Sequence, residues 1–304
     1  MDQLAGLRVF TRVVDSESFS AAGRGLGLAP SSVSRRIGEL EQALGVRLFH
    51  RSTRKLSLTE AGETYYERAR DILRAVEEAA LAVGEQRAAP SGVLRLTAPT
   101  SLASRHITPA VAAFRAGYPL VTLVMAVTDR TADILGEGFD LAIRVGRLED
   151  SSLVARKLGE ARRLACASPA YLERAGRPAH PEELRDHACL TFRRHAGSNA
   201  WRFRKDGEIR EVRASGPFVA DDGETLVSAA CSGLGIVLGP EWLVGPALGT
   251  GALIEVLPDY TAEPATTPIY AVTPPGPHLA PKIRAFVDFL AARFGRDYDW
   301  RGAP

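Results

Sequence analysis

The sequence predicts an α/β protein with an N-terminal winged helix-turn-helix, one long helix and a larger α/β domain, and three observations carry that reading. Residues 18 to 58 pair two short amphipathic helices with a basic hairpin. Residues 65 to 83 repeat apolar positions in alternating steps of four and three. From Gly92 onward, β-like and helical runs alternate. A chain of 304 residues, 45% hydrophobic and 24% charged, is long enough for two or more domains with a sizeable core.

The first helix shows Leu4, Leu7, Phe10 and Val14 on one face, and Asp15-Ser16-Glu17-Ser18 breaks it with residues that favour caps and turns. Ser18 caps the second helix, whose inward face is Phe19, Ala22 and Leu26; Gly25-Leu26-Gly27-Leu28 then allows a tight turn. Pro30 suits the first position of the third helix, where a missing N–H costs nothing. At about 100° per residue, Val33, Ile37, Leu40 and Leu44 form a narrow apolar stripe, with Ser31, Ser34, Arg35 and Gly38 opposite. Glycine at 45 fits a left-handed cap. Two short alternating runs follow, Val46 to His50 and Leu56 to Leu58, with Ser52-Thr53-Arg54-Lys55 between them as a wing.

This pattern is that of a DNA-reading head. A recognition helix places its N-terminal residues at base edges in the major groove, where arginine pairs bidentately with guanine. Arg35 is the candidate for that contact; Ser31, Ser32 and Ser34 suit bases or phosphates, and Arg36 sits nearer the flank. The net charge of +2 says little by itself, but residues 44 to 58 hold Arg47, Arg51, Arg54 and Lys55 without a single Asp or Glu. Arg51, Arg54 and Lys55 are candidates for phosphate or minor-groove contacts; a solvated surface charge explains any one of them equally well.

A long helix is predicted from Thr59, with Thr59 as N-cap and Glu60 and Glu63 at the positive end of its dipole. Tyr65, Ala69, Ile72, Val76, Ala79 and Val83 form a heptad seam that ends before Ala88-Ala89-Pro90-Ser91-Gly92. Such a seam packs either on its own chain or on a second copy, and a rod of about 45 Å favours the second copy.

Beyond Gly92 the β-like runs are Val93 to Ala98, Leu120 to Val127, Leu141 to Val145, Leu164 to Ala167, Cys189 to Phe192, Trp201 to Arg204, Ile236 to Leu238 and Ile269 to Val272. Helices are predicted over residues 103 to 116, Thr131 to Glu137 and Pro281 to Phe294, and from Pro169 and Glu224, so the sheet is expected to be largely parallel. Ligands in open α/β sheets bind beyond the C-terminal ends of strands, near helix N-termini. Thr100, Ser101, Thr128 and Asp222 meet that description, and each reads equally well as an ordinary cap.

Several function classes are set aside. No run of 18 apolar residues occurs, and the N-terminus lacks the apolar centre of a signal peptide, so a cytoplasmic protein without a membrane partner is expected. Cys166, Cys189 and Cys231 are odd in number and widely spaced, which argues against a disulfide framework. His106, His180, His187, His195 and His278 show no metal-binding spacing, and there is no G-x-S-x-G elbow, P-loop or HExxH. Neither catalysis, nor a cofactor, nor a metal is expected.

Taken in order, these residues resemble the LysR-type transcriptional regulators. The resemblance rests on the N-terminal winged helix-turn-helix with its Ser-Arg recognition turn and on Leu58-Thr59-Glu60-Ala61-Gly62 at the start of the linker helix. Later runs are also similar to family stretches: Gly138-Phe139-Asp140-Leu141-Ala142-Ile143-Arg144, Ala167-Ser168-Pro169-Ala170-Tyr171-Leu172 and Gly233-Leu234-Gly235-Ile236. It covers the whole chain and implies a bacterial, sequence-specific transcription regulator, modulated by a small-molecule effector. On that pattern residues 1–58 are the DNA-binding domain, 59–89 the linker and dimerisation helix, and 92–304 a two-lobed effector-binding domain resembling type 2 periplasmic binding proteins. Lobe 1 takes about 92–162 and 267–304 and lobe 2 about 163–266, with crossovers near 162 and 267. Thr100, Ser101 and Thr128 then line the effector cleft, Phe203 reaches it from the other lobe, and Arg144 faces it or pairs with an acidic neighbour. Double-stranded DNA, a second copy in dimers that pair into tetramers, the effector and RNA polymerase are the implied partners. Asp221-Asp222 departs from the amide-rich stretch expected there, and two carboxylates oppose a strongly anionic effector unless an arginine neutralises one. A solute-binding receptor shares the two-lobed fold, and an enzyme shares the α/β class; the DNA-reading head separates this chain from both.

Overall fold

The computed structural model describes residues 3–50, 56–82, 89–130, 133–148, 151–193, 199–276, 279–295 and 297–302. The chain forms two compact units, one containing the first 88 residues and the other most of the chain from residue 89 on. No described helix is long and apolar enough to cross a membrane.

In the first unit, helices α1 (Gln3–Ser16), α2 (Phe19–Leu26), α3 (Pro30–Leu44) and α4 (Glu60–Ala82) enclose one core. The Ser18 hydroxyl accepts from the Ala21 N–H at 3.2 Å and so caps α2. Gly27 ends that helix at φ 65°, in the left-handed region that favours glycine. Phe10 sits at the centre, fully buried, with its ring edge-on to Phe49 and tilted against Tyr65. Val33, Ile37 and Leu40 of α3 are buried as their spacing predicts, whereas Leu44, the last of the stripe, is exposed at the rim where Gly45 stops the helix. Glu41 ties α3 to the hairpin by accepting from the Leu48 and Phe49 N–H groups at 2.8 and 3.2 Å, and Phe49 bridges Leu58 in antiparallel fashion. Thr59 caps α4, its hydroxyl accepting from the Gly62 N–H at 3.0 Å and donating to the Arg47 carbonyl at 2.7 Å. Gly62 is required there, since a Cβ would collide with the Leu48 carbonyl oxygen.

The second unit begins with β1 (Gly92–Ala98) and a helical stretch made of α5 (Thr100–Leu102), a π-helical turn (Ala103–Ile107) and α6 (Thr108–Gly117). Strands β2 (Val121–Val127), β3 (Leu141–Val145) and β4 (Val154–Ala167) follow, then α7 (Pro169–Ala175) and β5 (Cys189–Phe192). Next come β6 (Ala200–Lys205), β7 (Glu208–Arg213), β8 (Val219–Ala220), α8 (Gly223–Cys231) and β9 (Ile236–Pro240). The last elements are α9 (Glu241–Gly249), β10 (Ile254–Val256), β11 (Thr261–Glu263), β12 (Thr266–Thr273) and α10 (Pro281–Arg293). One mixed sheet runs β2-β1-β3-β12-β4-β9-β5-β8 with β10 on β4, and β11-β6-β7 form a separate small sheet.

The main sheet has two lobes. β1, β2 and β3 are mutually parallel in the first, and β9, β5 and β8 in the second. Between them stand β12 and β4, antiparallel to each other and to their outer neighbours. β4 pairs with β12 as far as Arg162 and with β9 from Arg163, so one strand passes from lobe to lobe. The sheet is therefore mixed where a largely parallel one was expected, because the two connecting strands run through its middle in opposite directions. The expected helix over Thr131 to Glu137 is absent from the described part: Ile134 to Gly138 form turns, and Thr131 lies outside the described residues. Helix α9 escapes the sequence pattern because it contains Gly245 and Pro246. Gly245 is forced by packing, since a Cβ there would lie 2.7 Å from the Trp300 carbonyl oxygen.

Candidate nucleic-acid interface and interlobe cleft

Helix α3 separates its two tasks by face. Its buried side holds the first unit together, while Ser31, Ser34 and Arg35 are exposed and Ser32 and Arg36 half-buried. Arg35 approaches Glu39 one turn on at 3.8 Å, with its side chain 74% exposed, a loose pair that leaves the guanidinium available. Gly38 is exposed with open space around it. Gly25, expected to serve the turn, makes room for Arg12 instead: a Cβ would meet its Nη2 at 2.7 Å. Arg51, Arg54 and Lys55 of the wing lie outside the described residues.

Helix α4 divides the expected seam. Ala69 is fully buried and Tyr65 half-buried in the first unit's own core, where Leu73 also packs. Ile72 is 46% exposed, Ala79 is exposed, Val76 is half-buried and Val83 lies outside the described residues. The exposed positions Ala61, Thr64, Arg68, Ile72, Ala75 and Ala79 share a stripe rotated by roughly 60° from the expected seam. Heptad periodicity was therefore present on two adjacent faces, and the face nearest Phe10 is used within the chain. The stripe continues into a groove that Ala61, Thr64 and Arg68 line with Leu44 and Val46.

In the second unit, Thr100 and Thr128 follow the C-terminal ends of the paired strands β1 and β2. The Thr128 N–H donates to the Ala98 carbonyl at 3.0 Å, and the Thr100 N–H donates to the Asp129 carboxylate at 3.2 Å. Thr100 is exposed, whereas Ser101 is only 2% exposed. Asp222 caps α8 in the other lobe, one oxygen accepting from the Thr225 N–H at 2.8 Å and from its hydroxyl at 2.6 Å, the other buried without a partner among the described residues. Arg144 is half-buried near the end of β3, in register with Tyr270 of β12. Phe203 does not join this group. It is 2% exposed within the lobe 2 core beside Leu184 and Val212, because inward positions of β6 face that core. Asp221 is exposed and pairs with Arg193 at 2.6 Å; that hydrogen bond holds its carboxyl below the usual carboxylate range. An arginine thus neutralises one of the two adjacent carboxylates.

The two lobes are tied directly by residues that the sequence pattern does not single out. Arg105, in the π-helical turn of lobe 1, donates from Nε and Nη2 to both oxygens of Glu224 on α8, at 2.7 and 2.5 Å. That hydrogen bond raises the Arg105 pKa despite partial burial. Beside it the fully buried His106 approaches the Tyr298 hydroxyl and the Trp242 carbonyl, each at 3.1 Å. Burial pushes its imidazole below the ordinary value, the Trp242 contact opposes that, and Arg105 and Arg293 add to it. The C-terminal segment crosses the same region: Trp300 donates to the Glu160 carbonyl at 3.0 Å and Arg301 to Glu241 at 2.7 Å. Glu241 also takes two bonds from Arg162; burial pushes its carboxyl up, and the two guanidinium groups outweigh that and hold it low. These contacts join residues 60 to 192 positions apart, beyond the reach of local periodicity.

Burial pushes the Cys189 thiol up to about 11 and raises Cys166 further, so neither is a ready nucleophile. Among the described residues no His, Cys, Asp and Glu cluster could hold a metal ion.

The chain matches two sequence families, "Bacterial regulatory helix-turn-helix protein, lysR family" over residues 4–63 and "LysR substrate binding domain" over residues 87–295. It is 41% identical over 296 residues to an HTH-type transcriptional regulator of Xanthomonas campestris pv. campestris, covering 96% of this chain and 86% of that one. Among solved structures it is similar to CrgA of Neisseria meningitidis, a LysR-type transcriptional regulator, with TM-score 0.63 and 36% identity over 96% and 99% of the two chains. The Vibrio cholerae virulence activator AphB gives TM-score 0.59 and 32% identity over 96% and 99%.

Proposed function

The chain belongs to the LysR family of DNA-binding transcription regulators, and from that premise we propose that it reads an interrupted palindrome through paired copies of α3 and answers to a small molecule received between its two lobes. The observation that carries this reading is the open face of α3, where Ser31, Ser34 and Arg35 stand exposed above a closed core. In this reading residues 1–58 are the head, 59–89 the linker and 92–304 the effector domain. Arg35 reads a base; Ser31, Ser32, Ser34 and Arg36 place the helix. Arg51, Arg54 and Lys55 supply phosphate contacts on the strength of the sequence alone.

Two copies join through the outward stripe of α4, Ala61, Thr64, Arg68, Ile72, Ala75 and Ala79, and such dimers pair into tetramers. Small residues let two helices approach closely, and Ile72 supplies the apolar anchor. The effector contacts Thr100, Thr128 and Arg144 from lobe 1 and the Asp222 region from lobe 2. A ligand that binds one lobe arrangement better shifts the population toward it, and paired α4 helices carry that change to the spacing of the heads, where RNA polymerase is the responding partner.

Selection from random duplex DNA with the full-length protein, followed by footprinting, tests the reading. The expected result is an enriched inverted repeat whose half-site centres lie one helical turn, about 34 Å, or a multiple of it apart. Recovery of DNA without sequence enrichment overturns it.

A further inference from the structure

The Arg105–Glu224 pair does more than the proposed cleft requires of a structural bond. Its two hydrogen bonds are parallel, in the arrangement by which a guanidinium fork recognises a carboxylate. Its side chains keep 27% and 32% of their surface exposed, so solutes reach it. Arg105 lies in the second turn of the helical stretch that opens at Thr100, and Glu224 lies two residues beyond Asp222. The pair therefore stands between the strand ends where ligands of open α/β sheets bind.

We propose that Arg105 is the receptor for a carboxylate of the effector, and that Glu224 occupies this receptor as an internal competitor which the effector displaces. The proposal rests on the cleft reading above and adds the chemical class of ligand. The carboxylates flanking the strand ends are already engaged. Asp221 is neutralised by Arg193, Asp222 holds the first turn of α8, and Asp129 caps the Thr100 N–H. Arg105 Nη1 has no partner among the described residues, which leaves two N–H groups open to an incoming acid before Glu224 lets go. Exchange of one carboxylate for another keeps the guanidinium paired. It also releases α8 of lobe 2 from lobe 1, so binding and lobe movement become one event.

The test is titration calorimetry on the full-length protein with two- to six-carbon mono- and dicarboxylic acids, their matched amides and inorganic phosphate. Wild type is compared with Glu224→Gln, Arg105→Lys and Thr100→Val. At least one acid is expected to bind wild type and to bind Glu224→Gln about three- to tenfold more tightly, the range a part-exposed bidentate pair supports. Arg105→Lys keeps the charge and loses the fork, and binding is expected to weaken by a similar factor. Equal affinity of Glu224→Gln and wild type, binding of no acid by either, or tighter binding of phosphate than of any acid overturns the proposal. An amide whose binding falls in Thr100→Val shows that the cleft takes ligands even where the carboxylate assignment fails. Acid binding indifferent to both Thr100→Val and Arg105→Lys places the ligand elsewhere and removes the cleft reading together with the proposal.

Discussion

The head and the interlobe region solve opposite problems. In the head, residues that hold the fold and residues that face a partner are different residues on the same helices: Ile37 is buried while Arg35 is open, and Ala69 is buried while Ile72 is open. Between the lobes, on the proposal above, the same side chains do both jobs. Arg105 is engaged by Glu224 across the lobes, and Glu241 by Arg162 and Arg301; in the proposed reading the first pair is also where the ligand enters. A DNA-reading surface must be ready before its partner arrives. A regulated surface holds itself in one arrangement until something better is offered.

The largest effect that breaks or sharpens this contrast comes from α4. Ala69→Asp buries a charge beside Phe10 with no partner and is expected to cost at least about 3 kcal/mol of head stability. Ile72→Asp, one turn along on the outer stripe, is expected to change head stability by no more than about 0.5 kcal/mol and to shift the protein toward monomer. Chemical denaturation and analytical ultracentrifugation separate the two outcomes. If Ile72→Asp unfolds the head, or leaves the oligomer intact, folding and assembly are not divided between these faces.

A smaller effect is expected from Arg35→Ala. The side chain is 74% exposed and its ion pair with Glu39 is loose, so the head melts as before. Binding to the selected DNA weakens by about 1–3 kcal/mol, and the loss is confined to one base-pair position. Affinity measured across a set of single-base operator variants checks it. A uniform loss over all of them makes Arg35 a phosphate contact.

The same division explains what was legible in the sequence. The head is built from contacts that local patterns report: caps at Ser18 and Thr59, stops at Gly27 and Gly45, and a stripe at Val33, Ile37 and Leu40. Periodicity reported a seam on α4 but not which of two adjacent faces the chain keeps for itself, because Phe10 of α1 decides that by packing against Tyr65 and Tyr66. Strand-end threonines were likewise visible, since their position follows from the order of elements. Arg105, His106, Glu241 and Trp300 were not, because nothing local to them differs from an ordinary helix or tail. Phe203 shows the converse limit: an aromatic residue on a short strand looks the same whether it faces a ligand or, as here, a core.

The finest contrast concerns pH. Both contacts of His106 are satisfied by the neutral ring, with Nε2–H donating to the Trp242 carbonyl and the Tyr298 hydroxyl donating to Nδ1. Burial first, and then the neighbouring Arg105 and Arg293, keep its folded pKa below the ordinary value of 6.5. On acidification the unfolded chain therefore takes up this proton before the folded one. Stability of the second unit is unaffected by this group well above 6.5 and is lost as pH falls through 6.5 toward the lower folded value, with a slope no steeper than about 1.4 kcal/mol per pH unit. His106→Gln retains a donor for the Trp242 carbonyl and does not titrate, so its stability is expected to fall less between about pH 7 and pH 5. Among the described residues of the head no imidazole is buried, so the His106→Gln substitution is expected to leave the pH dependence of head stability unchanged. Denaturant titrations of wild type and His106→Gln at a series of pH values check both statements, and equal slopes for the two proteins remove His106 as the source.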